Sequence, residues 1–426
     1  MNVKINFSKA QLYSFFILFG ATIEASADSF SFSGYVKSYA LAQEEIEIQH
    51  SNENIDASFQ SQNSVRLMGS YLSRDVGNFE FHYEVQPIYI SNTDFISDSG
   101  DIGSTIAIGA NPYRYKDLDA VMNTVGDNTV ILQNLDRLNY QYNYKYGDLT
   151  VGRQVISFGS ARFINPTDIF IPFAIQTLNQ EYRIGVDAIR FTADVGDFAL
   201  IDSGIIIGED AHKENNAYFL RGKNSFDGND VEAMFIHLDD AWLIGGGVER
   251  AIGNFGFWFE TAFMQWDNVT YETDKGDQTK AQKDYWRTSI GTDYAITENI
   301  ITMFEYHYNG AGSSKPNDYT ELPNQPAYQK AGVFLLGQHY LIPSVSWIAT
   351  PLLTVNSSAF YNIDDQSLFI TLVGERSWSD NLYSDFGAYI SFGDKLTYIE
   401  NSDSIEAGSE FGSYPVSLYA SIRYYF

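Results

Sequence analysis

One stretch of this chain, residues 149–191, sets Arg153, Arg162, Arg183 and Arg190 among Asp168, Glu181 and Asp187. Opposed arginines and carboxylates at a narrow point in a water-filled path select solutes by charge and by orienting their dipoles. The same groups can instead pair with one another and pin a segment in place, because buried charges are generally paired. Both readings stand at this point. Between the arginines lie Ile164, Ile169, Phe170, Ile171, Phe173 and Ile175, beside Asn165-Pro166-Thr167-Asp168. That many apolar residues suit no freely solvated loop, and the interior of a barrel would give them a surface. The expectation is a loop folded inward, with Arg153, Arg162, Asp168, Arg183, Asp187 and Arg190 at a pore constriction.

Other chemistry finds little support. The chain has no G-x-S-x-G elbow, no H-E-x-x-H and no phosphate-cradling loop. His50, His82, His212, His237, His307 and His339 are scattered, none at a metal-ligand spacing from another. No metal, cofactor or catalytic residue is assigned. Cysteine is absent, which excludes disulfides and thiolate sites. The net charge of -28 argues against nucleic acid, whose phosphates would be repelled. It allows cation-binding loops, a cation-favouring pore, or simply solubilising loop charge. Gly245-Gly246-Gly247 precedes no helix, so it reads as a place where a side chain or loop approaches a wall.

The elements that would position these residues are strands. Phe79, Phe81, Tyr83 and Val85 alternate with Glu80, His82, Glu84 and Gln86. Leu138, Tyr140, Tyr142 and Tyr144 alternate with Arg137, Asn139, Gln141 and Asn143. Val416, Leu418, Ala420, Ile422, Tyr424 and Phe426 alternate with Ser417, Tyr419, Ser421, Arg423 and Tyr425. A period of two with one apolar and one polar face suits a wall between lipid and water. It places Glu80, His82, Glu84, Arg137, Glu305 and Arg423 on the lumen, with Arg66, Arg190, Glu249, Glu375 and Arg376 as further candidates. Parity instead points Arg153 at lipid beside Leu149 and Val151, unless a bulge at Gly152 re-aims it.

The whole pattern predicts an all-β fold, a transmembrane antiparallel up-and-down β-barrel of about 18 strands, with 16 as the alternative count. Short turns near Asp75, Gly147, Gly196, Gly228, Gly253, Glu298, Pro343 and Asp380 alternate with longer connections. Aromatics make up 16% of the chain, with 30 Tyr and 31 Phe to supply interfacial girdles. No run reaches the length of a membrane-spanning helix. At the start, Lys4 and Lys9, the apolar run 12–21 and Ala25-Ser26-Ala27 form a secretory signal peptide over 1–27, leaving 28–426 as one barrel domain.

Two segments carry a family resemblance. The terminal strand ending on Phe426 resembles the assembly signal of Gram-negative outer-membrane barrels. Residues 152–168, G-R-Q-V-I-S-F-G followed by N-P-T-D, resemble a pattern in porin-like members of that class. The resemblance implies the Gram-negative outer membrane as location. Partners would be its lipid and lipopolysaccharide, the barrel assembly machinery and small hydrophilic solutes, with a homotrimer possible. It implies a non-enzymatic channel for passive diffusion. Export of an anionic polysaccharide, through a basic lumen of Arg66, Arg137, Arg190, Arg376 and Arg423, and a plugged structural or adhesive barrel are the alternatives.

Overall fold

The computed structural model describes residues 29–51, 54–73, 77–92, 113–116, 118, 121–170, 181, 183–272, 279–400 and 404–426. The expected signal peptide, the turn at Asp75, and Ile171, Phe173 and Ile175 lie outside the described residues.

Alternation of apolar and polar residues is realised as long antiparallel strands. In chain order the first six are β1 (Ser29–Gln43), β2 (Ser58–Ser73), β3 (Gly77–Ile90), β4 (Thr129–Tyr144), β5 (Gly147–Gln154) and β6 (Val186–Val195). Next come β7 (Ala199–Ile206), β8 (Ala217–Phe226), β9 (Asn229–Leu238), β10 (Ala241–Ile252), β11 (Phe255–Trp266) and β12 (Tyr285–Thr297). The last are β13 (Ile300–Asn309), β14 (His339–Thr350), β15 (Leu353–Asn362), β16 (Leu368–Ser379), β17 (Leu382–Phe392) and β18 (Ser417–Tyr425). Each pairs with its chain neighbours, and β1 pairs with β18 in register from Tyr35↔Tyr425 to Gln43↔Ser417. The result is a closed antiparallel barrel of 18 strands. Closure leaves the wall without an open edge. A further short strand, Val121–Val125, pairs with the start of β4 and extends the wall as a hairpin.

The outward face carries Phe79, Leu138, Tyr140, Tyr142, Leu418 and Ile422, all large and exposed. The inward face carries Lys37, Arg66, Glu84, Asp202, Glu232, Glu260, Arg287 and Glu305, all buried. Phe426 completes the ring: its backbone N–H donates to Gly34 O at 3.0 Å and Gly34 N–H donates to Phe426 O at 2.9 Å. A Cβ on Gly34 would stand 2.6 Å from the Phe426 ring, so only glycine lets that ring lie against β1.

Connections at the end bearing Ser29 and Tyr425 are tight, and those at the far end are longer except at Asp239-Asp240, where two residues join β9 to β10. One expected turn is misplaced. Pro343 sits inside β14, opposite Phe304 of β13, and the tight turn falls at residues 351–352. Proline has no N–H to donate, and the β14–β15 ladder skips Ile342 and Pro343 before resuming at Ser344↔Ser358. The wall thus tolerates the proline by leaving one side unpaired there. Residues 331–338 fold into the interior, burying Val333, Leu335 and Leu336.

Candidate channel and constriction

β5 stops at Gln154 because the chain leaves the wall there and crosses the interior. Residues 155–170 then dock against β10 to β13. Two inward glutamates receive them. Glu260 accepts hydrogen bonds from Ser160 N–H (2.7 Å), Ala161 N–H (2.9 Å), Thr167 N–H (2.9 Å) and the Thr167 hydroxyl (2.7 Å). Glu305 accepts from Arg162 N–H (3.0 Å), Phe163 N–H (3.3 Å), Ile164 N–H (3.0 Å) and the Trp258 indole (2.8 Å). An irregular segment has no ladder to satisfy its N–H groups, and each buried donor left unpaired costs about 1–3 kcal/mol. The two carboxylates do that work from the wall. Ser289 adds a hydroxyl donated to Ile164 O at 2.6 Å.

The glycine triplet on β10 is where this segment comes nearest. A Cβ on Gly245 would stand 2.6 Å from Thr167 Cγ2, and one on Gly247 2.6 Å from Ser160 Oγ. The expected approach of a loop to the wall at Gly245-Gly246-Gly247 is therefore present. Apolar contacts complete the docking. Ile156, Phe158, Ile169 and Phe170 join a cluster with Phe219, Met234 and Trp266, and Ile164 joins another with Leu335, Tyr340 and Phe369. On the returning arm Glu181 receives Lys37 of β1 at 2.5 Å and the Tyr425 hydroxyl of β18 at 2.6 Å. The segment thus touches opposite sides of the ring.

The residues expected at a constriction fall into two groups. Arg162 lies over the Trp258 ring, 5.2 Å from its centroid, and pairs with Glu249 at 2.7 Å, its side chain 42% exposed. Arg183 pairs with Asp168 and donates to the Ser157 hydroxyl. Arg190 forms a fork on Asp202 at 2.8 and 2.7 Å. These three guanidinium groups are partly solvated inside the barrel.

Arg153 and Asp187 differ. Register runs unbroken through Gly152 on both sides, so no bulge turns Arg153 inward, although Gly152 has φ +114°. Arg153 lies in the seam that opens beyond the end of β5. It donates to Leu135 O of β4 at 2.9 Å, to both Asp187 oxygens of β6 at 2.8 Å, and to Lys116 O at 2.9 Å. It is 5% exposed and bridges the two strands that β5 no longer separates.

The candidate lumen residues meet as ion-pair clusters. Glu80 accepts from Asn139 at 3.0 Å and lies 3.1 Å from His82. Glu84 receives Arg66 at 3.2 Å, the Tyr35 hydroxyl at 2.9 Å and the Ser64 hydroxyl. Arg423 pairs with Glu375 at 2.5 Å and Asp385 at 2.7 Å. Arg376 corrects the parity reading. As the neighbour of inward Glu375 it faces outward, stacked 4.3 Å over Trp378, because adjacent strand residues point to opposite faces.

The sequence pattern does not single out Asp136, which organises one side of the interior. The β3–β4 register shifts between His82 and Tyr83, so that Asp136 and Arg137 both turn inward. Asp136 then receives Arg66, Arg137 at 2.9 Å and the Gly185 N–H at 2.8 Å. The available signal is the break in alternation at Leu135-Asp136-Arg137.

Comparison with known proteins follows this architecture. No protein-family model and no curated protein sequence matches the chain. Among solved structures it is similar to OccAB4 of Acinetobacter baumannii, with TM-score 0.52, 8% identity, and coverage of 94% of this chain and 98% of that one. It is also similar to a doubly substituted OccD1 (OprD), with TM-score 0.51, 8% identity, and coverage of 96% and 97%. At such identity the likeness is one of fold alone.

Proposed function

We propose that this protein is a Gram-negative outer-membrane channel through which small hydrophilic solutes diffuse passively, with residues 155–170 as its constriction. The observation that carries this is the docked segment. It crosses a closed barrel and leaves Arg162, Arg183, Arg190 and Glu249 partly solvated within it. Those four, with Asp168, set the local field on a passing solute. Arg153 and Asp187 are structural, closing the wall where β5 ends. The apolar belt faces lipid, and the long connections face outward from the cell.

A polysaccharide export track is less well supported. Arg66, Arg137, Arg190 and Arg423 each contact a carboxylate, so they form no unpaired basic lane. Catalysis is also less well supported. Ser289 and His307 touch at 2.9 Å, but both are buried and the Ser289 proton goes to Ile164 O.

Purified protein in a planar bilayer tests the reading. Stepwise, ohmic conductance that falls with solute size is expected. A protein that inserts and carries no current would refute it and favour a plugged barrel.

A further inference from the structure

Two arginines stand on the outward face of the barrel, where the wall presents apolar groups to lipid. Arg376 of β16 and Arg250 of β10 are both exposed. Each follows a glutamate, Glu375 or Glu249, that points into the lumen and pairs there. Both arginines lie close to tight turns, at the end of the barrel bearing Ser29 and Tyr425. A charge on the lipid face is costly at the bilayer midplane and tolerated near a headgroup layer. Arg250 is held by Asn229 of β9 at 3.1 Å. Arg376 makes no hydrogen bond or ion pair with any described residue. Its cross-strand neighbours, Leu353 of β15 and Ser384 of β17, are uncharged.

The wall around Arg376 supplies the second observation. The guanidinium lies 4.3 Å over the Trp378 ring, and the Trp378 indole N–H donates to Ser384 Oγ at 2.9 Å. The ring is thus fixed, and the guanidinium stacked on it keeps an N–H edge for an acceptor in the membrane. On the same face, one pleat nearer the bilayer centre, stands Gly374. A Cβ there would meet only Phe386 O, at 3.9 Å, so the wall has an open notch at this point. Phe386 of β17, Val355 of β15 and Leu372 border it, and Phe386 and Leu372 are exposed. From turn to midplane the order is cation, then apolar notch. A phospholipid has the matching order: phosphodiester, then acyl chain.

We propose that Arg376, Trp378 and Gly374 form a binding site for one anionic phospholipid of the periplasmic leaflet. The guanidinium takes the phosphate, whose oxygens fit its planar fork of donors. One acyl chain crosses the notch at Gly374 against Phe386. The inference rests on the outer-membrane reading above, with the tight turns on the periplasmic side.

Native mass spectrometry of the full-length protein, released from nanodiscs of equal phosphatidylglycerol and phosphatidylcholine, tests this. The wild-type barrel is expected to retain one phosphatidylglycerol. Arg376→Gln should retain about fivefold less, the worth of one arginine beside an anionic lipid surface. Gly374→Leu, which fills the notch and keeps the charge, should also lose the lipid, and Arg250→Gln should match wild type. Excess glycerol phosphate should not displace the lipid; displacement would mean a phosphate contact alone and overturn the role of the notch. Equal retention by wild type and Arg376→Gln would overturn the inference. So would equal retention of the two lipids, or lipopolysaccharide or a second copy of the chain held in place of the phospholipid. The wild-type preference needs no variant, so the inference stays refutable if a variant fails to fold. None of these readouts requires current: a barrel that conducts and retains no phosphatidylglycerol overturns this inference alone.

Discussion

Replacing Glu305 with Ala should release the segment that crosses the barrel. Glu305 accepts three backbone N–H groups of residues 162–164 and the Trp258 indole, at 2.8 to 3.3 Å. A hydrogen bond to a charged group is worth about 1.5–3 kcal/mol, so the four together are worth roughly 6–12 kcal/mol gross. Burying the carboxylate costs several kcal/mol of that in lost hydration. The net loss on truncation is then about 3–5 kcal/mol, since it also leaves four buried neutral donors without an acceptor. At 1.4 kcal/mol per tenfold, the undocked population rises by about a hundredfold to several thousandfold. Trypsin reads this population, because the Arg162 backbone is pinned in the docked state and cleavage after it requires opening. Faster cleavage and a larger, noisier single-channel conductance are expected. Glu305→Gln, which keeps one acceptor oxygen, should fall between. A Glu305→Ala barrel that migrates as folded, resists trypsin like wild type and conducts identically would refute the argument that wall carboxylates hold the segment.

Five other perturbations separate roles that look alike in sequence. Arg162→Gln should shift the reversal potential in a salt gradient toward cations, because its solvated charge faces the path. Arg153→Gln should leave selectivity unchanged and lower the yield of folded barrel, since it breaks the bridge from Leu135 to Asp187; equal selectivity shifts would contradict that division. Ile422→Arg places a charge on the lipid face and should cost about 2–4 kcal/mol in folding into bilayers. Phe426→Asp should slow insertion by weakening the pairing with Gly34, and normal surface levels of this variant would count against it. The last concerns Glu410, beyond β17 in the long connection to β18. Burial pushes its carboxyl up to about 7, against hydrogen bonds from Tyr340 and the Leu336 N–H and with Asp365 nearby. A carboxyl raised above its unfolded value of 4.5 contributes stability that is full below that value and lost as pH rises through about 7. Amide protection at Leu336, corrected for intrinsic exchange, should therefore be greater at pH 5 than at pH 8. Glu410→Gln should flatten the difference; protection that instead rises with pH would show the opposite linkage.

Much of the barrel was legible because its signal is local. Strand parity depends only on residues two apart, so Phe79, Glu80, Leu138 and Arg423 declare their faces without knowledge of their partners. Gly245-Gly246-Gly247 declared a close approach in the same way, since three residues without side chains leave room that something must fill. Pro343 misled because its missing N–H matters only on the side where β15 would need it. Arg376 misled because neighbours in an unbroken ladder face opposite sides, and only the ladder says that Glu375 is the inward one.

The sequence by itself determined the wall: strands of period two with one face apolar. The tertiary structure alone decided what fills it. Glu260, Glu305 and Asp136 gain their roles from residues about 50 to 140 positions away along the chain. Arg287 shows itself as buried, with an Nε–H that no described residue accepts, only in the folded chain. Alternation is written between neighbours, whereas pairing across a lumen depends on how 18 strands are staggered around the ring, and no local pattern encodes that stagger.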